Sequence, residues 1–205
     1  MTTDDPVRAA GAATNWADLV TAVRGCVACP ELAASRTQVV PGEAPPRADV
    51  LLVGEAPGAQ EDETGVPFVG RSGQLLDGLL GDVGLRRDQV AVANVLKCRP
   101  PGNRKPRRVE VTRCRPWLDR QVDLVDQVVV VALGGTAAEW FVGPGARIAV
   151  LREQGRVTPL LHRGRRLLVT YHPSAAIRFG PRGAPLAALR EDLAEVARVL
   201  AEVVR

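Results

Sequence analysis

Long apolar runs are missing from this 205-residue chain: no stretch of eighteen apolar residues occurs, so no membrane-spanning helix is expected. Met1 to Gly11 carries Asp4 and Asp5 and lacks the apolar core of a secretory leader. A cytoplasmic protein with no membrane association is therefore expected. Repeats are absent, as is low-complexity sequence beyond an Ala-rich start, and no linker divides the chain. One domain over residues 1–205 is predicted, with 1–13 flexible. Nucleotide-loop signatures are lacking too, because Gly54 to Gly58 is neither G-x-G-x-x-G nor a P-loop. What remains, 46% hydrophobic and 24% charged residues, is the composition of a globular protein long enough to bury a sizeable core.

The net charge of +4 is unevenly placed. Lys97 to Arg120 holds nine basic residues (Lys97, Arg99, Arg104, Lys105, Arg107, Arg108, Arg113, Arg115, Arg120) against Glu110 and Asp119, so the rest of the chain is slightly acidic. Such a patch suits a polyanion docking on one face. Charge alone supports a solvated loop equally well.

Four cysteines stand at Cys26, Cys29, Cys98 and Cys114. In a reducing compartment disulfides are disfavoured, which leaves a metal site, a redox pair or unrelated thiols. A thioredoxin-like C-x-x-C belongs where a strand feeds a helix, whereas Cys26 follows a predicted helix at Trp16–Arg24 and Cys29 precedes Pro30. Four thiolates suit zinc or an iron–sulfur cluster. The wide Cys98–Cys114 spacing and the flanking Arg99, Arg113 and Arg115 favour a [4Fe–4S] cluster, with structural zinc as the alternative. Four small buried hydrophobes, the commonest fate of free cysteine, would explain neither the C-x-x-C nor the basic flanks.

Short apolar runs at Val50–Val53, Val90–Ala93, Val128–Leu133 and Leu167–Tyr171 alternate with helical periodicity. Helices are predicted near Ser72–Val83 and Val109–Val122, from Thr136 to about Val142 behind a Thr136/Glu139 capping box, and along the Leu186–Leu200 stripe. Ile148–Val150 and Gly155–Leu161 read as short antiparallel strands. The fold class expected is α/β, a three-layer α/β/α sandwich with a central, mainly parallel four-stranded sheet.

Ligands of open α/β sheets bind beyond the carboxyl ends of the strands. There the chain places Gly54-Glu55-Ala56-Pro57-Gly58, then Asn94, then Gly134-Gly135, then Tyr171-His172-Pro173-Ser174. Taken singly, each has a plain structural reading, such as a turn, a loop cap or a core histidine. Together GEAPG at Gly54–Gly58, GVPFVG at Gly65–Gly70, NVLKCRPPGNR at Asn94–Arg104, CRPWL at Cys114–Leu118 and HPSAAIR at His172–Arg178 resemble the iron–sulfur, family 4 branch of the uracil-DNA glycosylase superfamily.

The resemblance implies an enzyme that flips uracil out of single- or double-stranded DNA, hydrolyses its N-glycosidic bond and works as a monomer. It implies a uracil pocket of Gly54, Glu55, Ala56, Glu61, Phe68, Asn94 and His172. Phe68 would stack on the base, Asn94 would read its O4 and N3 edge, and His172 would donate to O2 as negative charge builds there. Glu55 would orient water or polarise the pocket, and Glu61 would sit near the 5-position. Asp62 and Glu63 read as solvated loop residues. Arg104, Lys105, Arg107, Arg108, Ser174, Ile177 and Arg178 would meet the DNA.

Two departures stand out. Ala56 occupies the place of an aspartate in the best-known branch, and Ala176 that of a bulky wedge, which leaves Ile177 or Arg178 for the wedge. A sister branch traps DNA through a histidine, but none lies between Asn94 and Trp117. A metal-stabilised DNA-binding module of the same fold without base excision is the alternative function.

Overall fold

Strands built of unbroken Val, Leu and Ala have no polar face and must be covered on both sides. In the computed structural model, which describes residues 3–157 and 160–203, this is what happens. β1 (Val50–Gly54), β2 (Val90–Asn94) and β3 (Val129–Leu133) are buried throughout, and β5 (Arg165–Thr170) from Leu167 onward. The sheet order is β2-β1-β3-β5-β4. β1, β2, β3 and β5 run parallel, and β4 (Leu160–His162) is antiparallel to β5. The sheet therefore has five strands rather than four, the fifth being an edge strand closed by a tight turn at Arg163 and Gly164, both at positive φ.

Alternate strand residues feed two cores. Leu51, Val53, Ala91, Ala93, Val130 and Ala132 pack under α6 (Arg108–Leu124) and α7 (Gly135–Val142). Val50, Leu52, Val90, Val92, Val129 and Val131 pack under α5 (Arg71–Asp82) and α10 (Ala184–Val203). The three-layer α/β/α arrangement is thus present. On α10, Leu189, Leu193, Val196 and Val199 are fully buried, at about 1.5–3 kcal/mol each, which fixes this helix on the sheet.

Two local expectations fail. Ile148–Val150 is the start of α8 (Ile148–Val157) and not a strand; Ile148 and Leu151 pack on the core three residues apart, a helical step that so short a window conceals. Of Gly155–Leu161, Gly155–Val157 ends α8 rather than forming a strand, Leu160 and Leu161 begin the antiparallel β4, and residues 158 and 159 lie outside the described residues. The Thr136/Glu139 capping box is also absent, since Gly134 is the residue before α7 and Thr136 bonds elsewhere.

A third cluster gathers the N-terminal segment. Where flexibility is expected, Pro6–Ala12 forms α1, capped by Asp5, and Ala10 and Ala13 are buried with α2 (Trp16–Arg24), α3 (Pro30–Ser35) and the thiols. Arg120 on α6 donates from Nε and Nη2 to the Ala13 carbonyl at 2.9 and 2.6 Å, which ties α1 to the layer above.

Candidate active site

The carboxyl ends of four strands open into one cleft of about 400 Å³. Glu55, Ala56, Pro57 and Gly58 beyond β1, Asn94 at the end of β2, Gly134 and Gly135 beyond β3 and His172 beyond β5 line it, with Glu61, Phe68, Ser72, Asn103, Arg104 and Ser174. Of the residues expected to form the pocket, Glu55, Ala56, Glu61, Phe68, Asn94 and His172 line it, whereas Gly54, the buried last residue of β1, does not. Lys105, Arg107, Arg108, Ile177 and Arg178 lie outside its lining.

Phe68 is buried with φ 54°, a left-handed conformation rare for a bulky residue. Its surroundings hold it there. Gly73 on α5 passes so close that any Cβ would run into the Phe68 carbonyl. The Glu61 carboxylate, on α4 (Ala59–Thr64), accepts from Val69 N and Gly70 N at 2.9 and 2.8 Å through Oε1, and from Gly58 N at 3.0 Å through Oε2. Glu61 thus lines the cleft as expected, but its Oε1 braces the loop that presents Phe68 and its Oε2 the loop that enters α4. Asp62, read as a solvated residue, is buried and accepts from Thr37 N at 2.9 Å.

Asn94 is 3% exposed, and its Oδ1 has no hydrogen-bond partner among the described residues. An unpaired buried carboxamide oxygen costs about 1–3 kcal/mol, a cost that a donor entering the cleft would remove. The Phe68 and His172 rings stand 5.8 Å apart, tilted by 32°, on the same cleft.

His172 precedes Pro173, the first residue of α9 (Pro173–Phe179). Its Nδ1 accepts from Ser174 N at 3.1 Å and lies 2.8 Å from Ser174 Oγ. Accepting a backbone N–H leaves Nδ1 unprotonated, so the proton of a neutral ring sits on Nε2. Burial pushes the His172 pKa down to about 4, against an opposing pull from Glu61. Ser174, expected on the DNA, is exposed and also bonds the imidazole. Gly134 (φ 94°) packs directly against His172, where a Cβ would lie 3.0 Å from the histidine Cβ.

Glu55 is partly exposed in the cleft, and its Oε2 accepts a short hydrogen bond from Thr136 Oγ1. Sequence reading misses Thr136 because its spacing to Glu139 mimics a cap.

The four thiols meet on the far side of the β2 turn. Cys26, Cys29, Cys98 and Cys114 line an enclosed pocket with Ala28, Leu32, Arg36, Leu96, Lys97, Arg113 and Trp117. All four are unbonded to one another, and burial pushes the Cys29 thiol up to about 11 and Cys114 to about 12. Arg36, a residue not singled out by sequence, donates from Nη1 to Cys98 Sγ at 2.9 Å and from Nη2 to the Cys26 carbonyl at 2.6 Å. Among the described residues the thiols ring a pocket, and no three His, Cys, Asp or Glu side chains form a single-ion site. Four thiols, apolar walls, three cations and no carboxylate in the lining are a donor set that fits a thiolate-bound cluster.

The basic segment is less uniform than its charge suggests. Lys97 is fully buried, Arg104 is bound to Glu110 and Glu31, Arg107 to Glu31, and Arg115 to Asp119. Lys105 and Arg108 are exposed and carry no ion pair among the described residues. On α9, Ala176 is 3% exposed and packs into the core, Ile177 is half-buried, and Arg178 lies over the ring of Phe179, which is 62% exposed.

Fold and cleft define an α/β domain whose ligand site lies at the carboxyl edge of a parallel sheet. Residues 41–194 match the sequence model of the Uracil DNA glycosylase superfamily, and the chain belongs to that superfamily. It is similar to the Type-4 uracil-DNA glycosylase of Thermotoga maritima, 43% identical over 156 residues, which are 76% of this chain and 80% of that one. The Type-4 uracil-DNA glycosylase of Sulfurisphaera tokodaii is 42% identical over 69% of this chain and 67% of its own. That of Pyrobaculum aerophilum is 42% identical over 76% and 81%.

Proposed function

We propose that this chain is a uracil-DNA glycosylase that extrudes uracil from single- or double-stranded DNA and hydrolyses its N-glycosidic bond, leaving an abasic site. The observation that carries this reading is the unpartnered Oδ1 of Asn94, which lines one cleft with the Phe68 ring and with His172, whose neutral ring carries its proton on Nε2. A flat base stacked on Phe68 offers N3–H to Asn94 Oδ1 and O4 to its Nδ2. Cytosine presents the opposite pattern at both atoms and is refused.

Water adds to C1′ as the C1′–N1 bond breaks, the bonding pair leaves on the uracil ring, and the water gives up a proton to solvent, from which the released uracil anion takes one. His172 Nε2–H donates to O2, where that charge gathers, and the ring stays neutral throughout. One such donor is worth on the order of 10²–10³ in rate. Glu55, steadied by Thr136, orients the water and faces the cationic sugar. Cys26, Cys29, Cys98 and Cys114 would hold a [4Fe–4S] cluster, which would cross-link α2, α3, α6 and the turn after β2 and place charge beside the basic face. Lys105 and Arg108 meet phosphates, with Arg178 and Phe179 on the duplex beside the flipped nucleotide. The protein acts as one domain and as a monomer in the cytoplasm. Among the described residues no helix is long and apolar enough to cross a membrane.

The test is release of free uracil from a defined oligonucleotide, with metal analysis and a visible spectrum of the same preparation. Binding without release would leave a DNA-binding module of this fold.

A further inference from the structure

The turn after β2 belongs to two sites at once. Asn94 opens it on the cleft and Cys98 closes it in the thiol pocket, with Lys97 between. Lys97 is 1% exposed. Its Nζ donates a short hydrogen bond to the Asn94 carbonyl, and its own carbonyl accepts from Val40 N at 2.8 Å. The cleft side of the turn is pinned as well, by Val95 N to Gly54 O at 2.9 Å and Leu96 N to Glu55 O at 3.0 Å.

A buried ammonium needs a counter-charge. Among the described residues no carboxylate bonds Lys97, which lines the same pocket as Cys98 and Cys114. Its side chain bonds the base-reading residue, and it lines a pocket with the candidate metal ligands.

We propose that Lys97 is a positioning residue that couples the thiolate centre to uracil recognition, holding the Asn94 peptide in place from a site whose charge balance the centre supplies. This rests on the uracil and cluster readings above. Losing the cluster loosens the Lys97 anchor and with it the carboxamide that reads the base, so the metal centre conditions specificity while staying outside the reaction.

The test compares cluster-loaded wild type, Lys97→Met, which has neither charge nor donor, and Lys97→Gln, which keeps a donor without the charge. All three are adjusted to equal iron content by absorbance and metal analysis. Each is titrated with a single-stranded oligonucleotide carrying one 2′-fluoro-2′-deoxyuridine, which resists cleavage, and with the same strand carrying thymidine. Loss of the hydrogen bond in Lys97→Met should weaken binding of the uracil analogue about ten-fold, with thymidine-strand binding unchanged. Lys97→Gln should bind the analogue with intermediate affinity. The cluster's reduction potential should shift to more negative values in both variants, since each removes a positive charge beside Cys98 and Cys114.

Equal binding of the uracil analogue by wild type and variants overturns the proposal, as does an unchanged potential in both. Should Lys97→Met fail to hold a cluster, Lys97→Gln carries both arms. A wild type that releases no uracil disposes of the functional reading. A wild type that releases it, with variants that bind alike, disposes of the Lys97 proposal alone.

Discussion

Asn94 and Phe68 meet over the last residue of β1: a Cβ on Gly54 would lie 2.6 Å from Phe68 Cζ and closer still to Asn94 Oδ1. The Asn94 carboxamide and the Phe68 ring are thus set against each other by a residue without a side chain. Gly54→Ala should push one of them out of register. Its expected cost is about 1–3 kcal/mol of stability, by denaturant titration, and a larger fall in kcat/KM than that loss of folded protein explains.

His172 supplies a pH test. Its folded pKa, about 4, lies below the ordinary imidazole value near 6.5. Between these the unfolded chain takes up a proton that the folded protein refuses, so this residue's contribution to stability is whole above pH 6.5 and is lost as pH falls toward 4. Urea midpoints at pH 7.5, 5.5 and 4.5 should fall less steeply in His172→Gln than in wild type. In a His162→Asn background, leaving one histidine, nitrogen NMR should show the Nε2–H neutral tautomer at pH 6.

Exposure separates phosphate contacts from structural arginines. Lys105→Ala with Arg108→Ala should lower the slope of log affinity against log salt by about two, and by less on single strands. Arg104→Ala, which breaks the pairs to Glu110 and Glu31, should instead lower the melting temperature.

The resemblance places a bulky wedge where this chain has only Ala176. Ala176, at the family position, faces the core, whereas Phe179 is the large apolar side chain that α9 leaves exposed. Phe179→Ala should reduce excision from duplex DNA several-fold more than from single strands, because only the duplex has a gap to fill. Equal loss on both substrates would remove Phe179 from that role.

The parallel strands and the cleft were legible because unbroken Val and Leu runs have one way to be buried, and because loop motifs follow each run directly. Less legible was what depends on contacts distant in sequence. Thr136 looks like a helix cap until β1 brings Glu55 beside it, and Glu61 looks like a base contact until Val69 and Gly70 turn back on it. Lys97 counted as surface charge because nothing in NVLKC announces that its side chain is buried. α8 was misread because three apolar residues fit either period.

The most direct measurement is free uracil released from a single-stranded oligonucleotide, followed by chromatography, for wild type, Asn94→Ala and His172→Ala. Wild type should release uracil over many turnovers and leave an alkali-labile site. Asn94→Ala should lose about 10–100-fold in kcat/KM and His172→Ala on the order of 10²–10³-fold in kcat, both with melting temperatures near wild type. No release by the wild type, or full activity in both variants, would contradict the account.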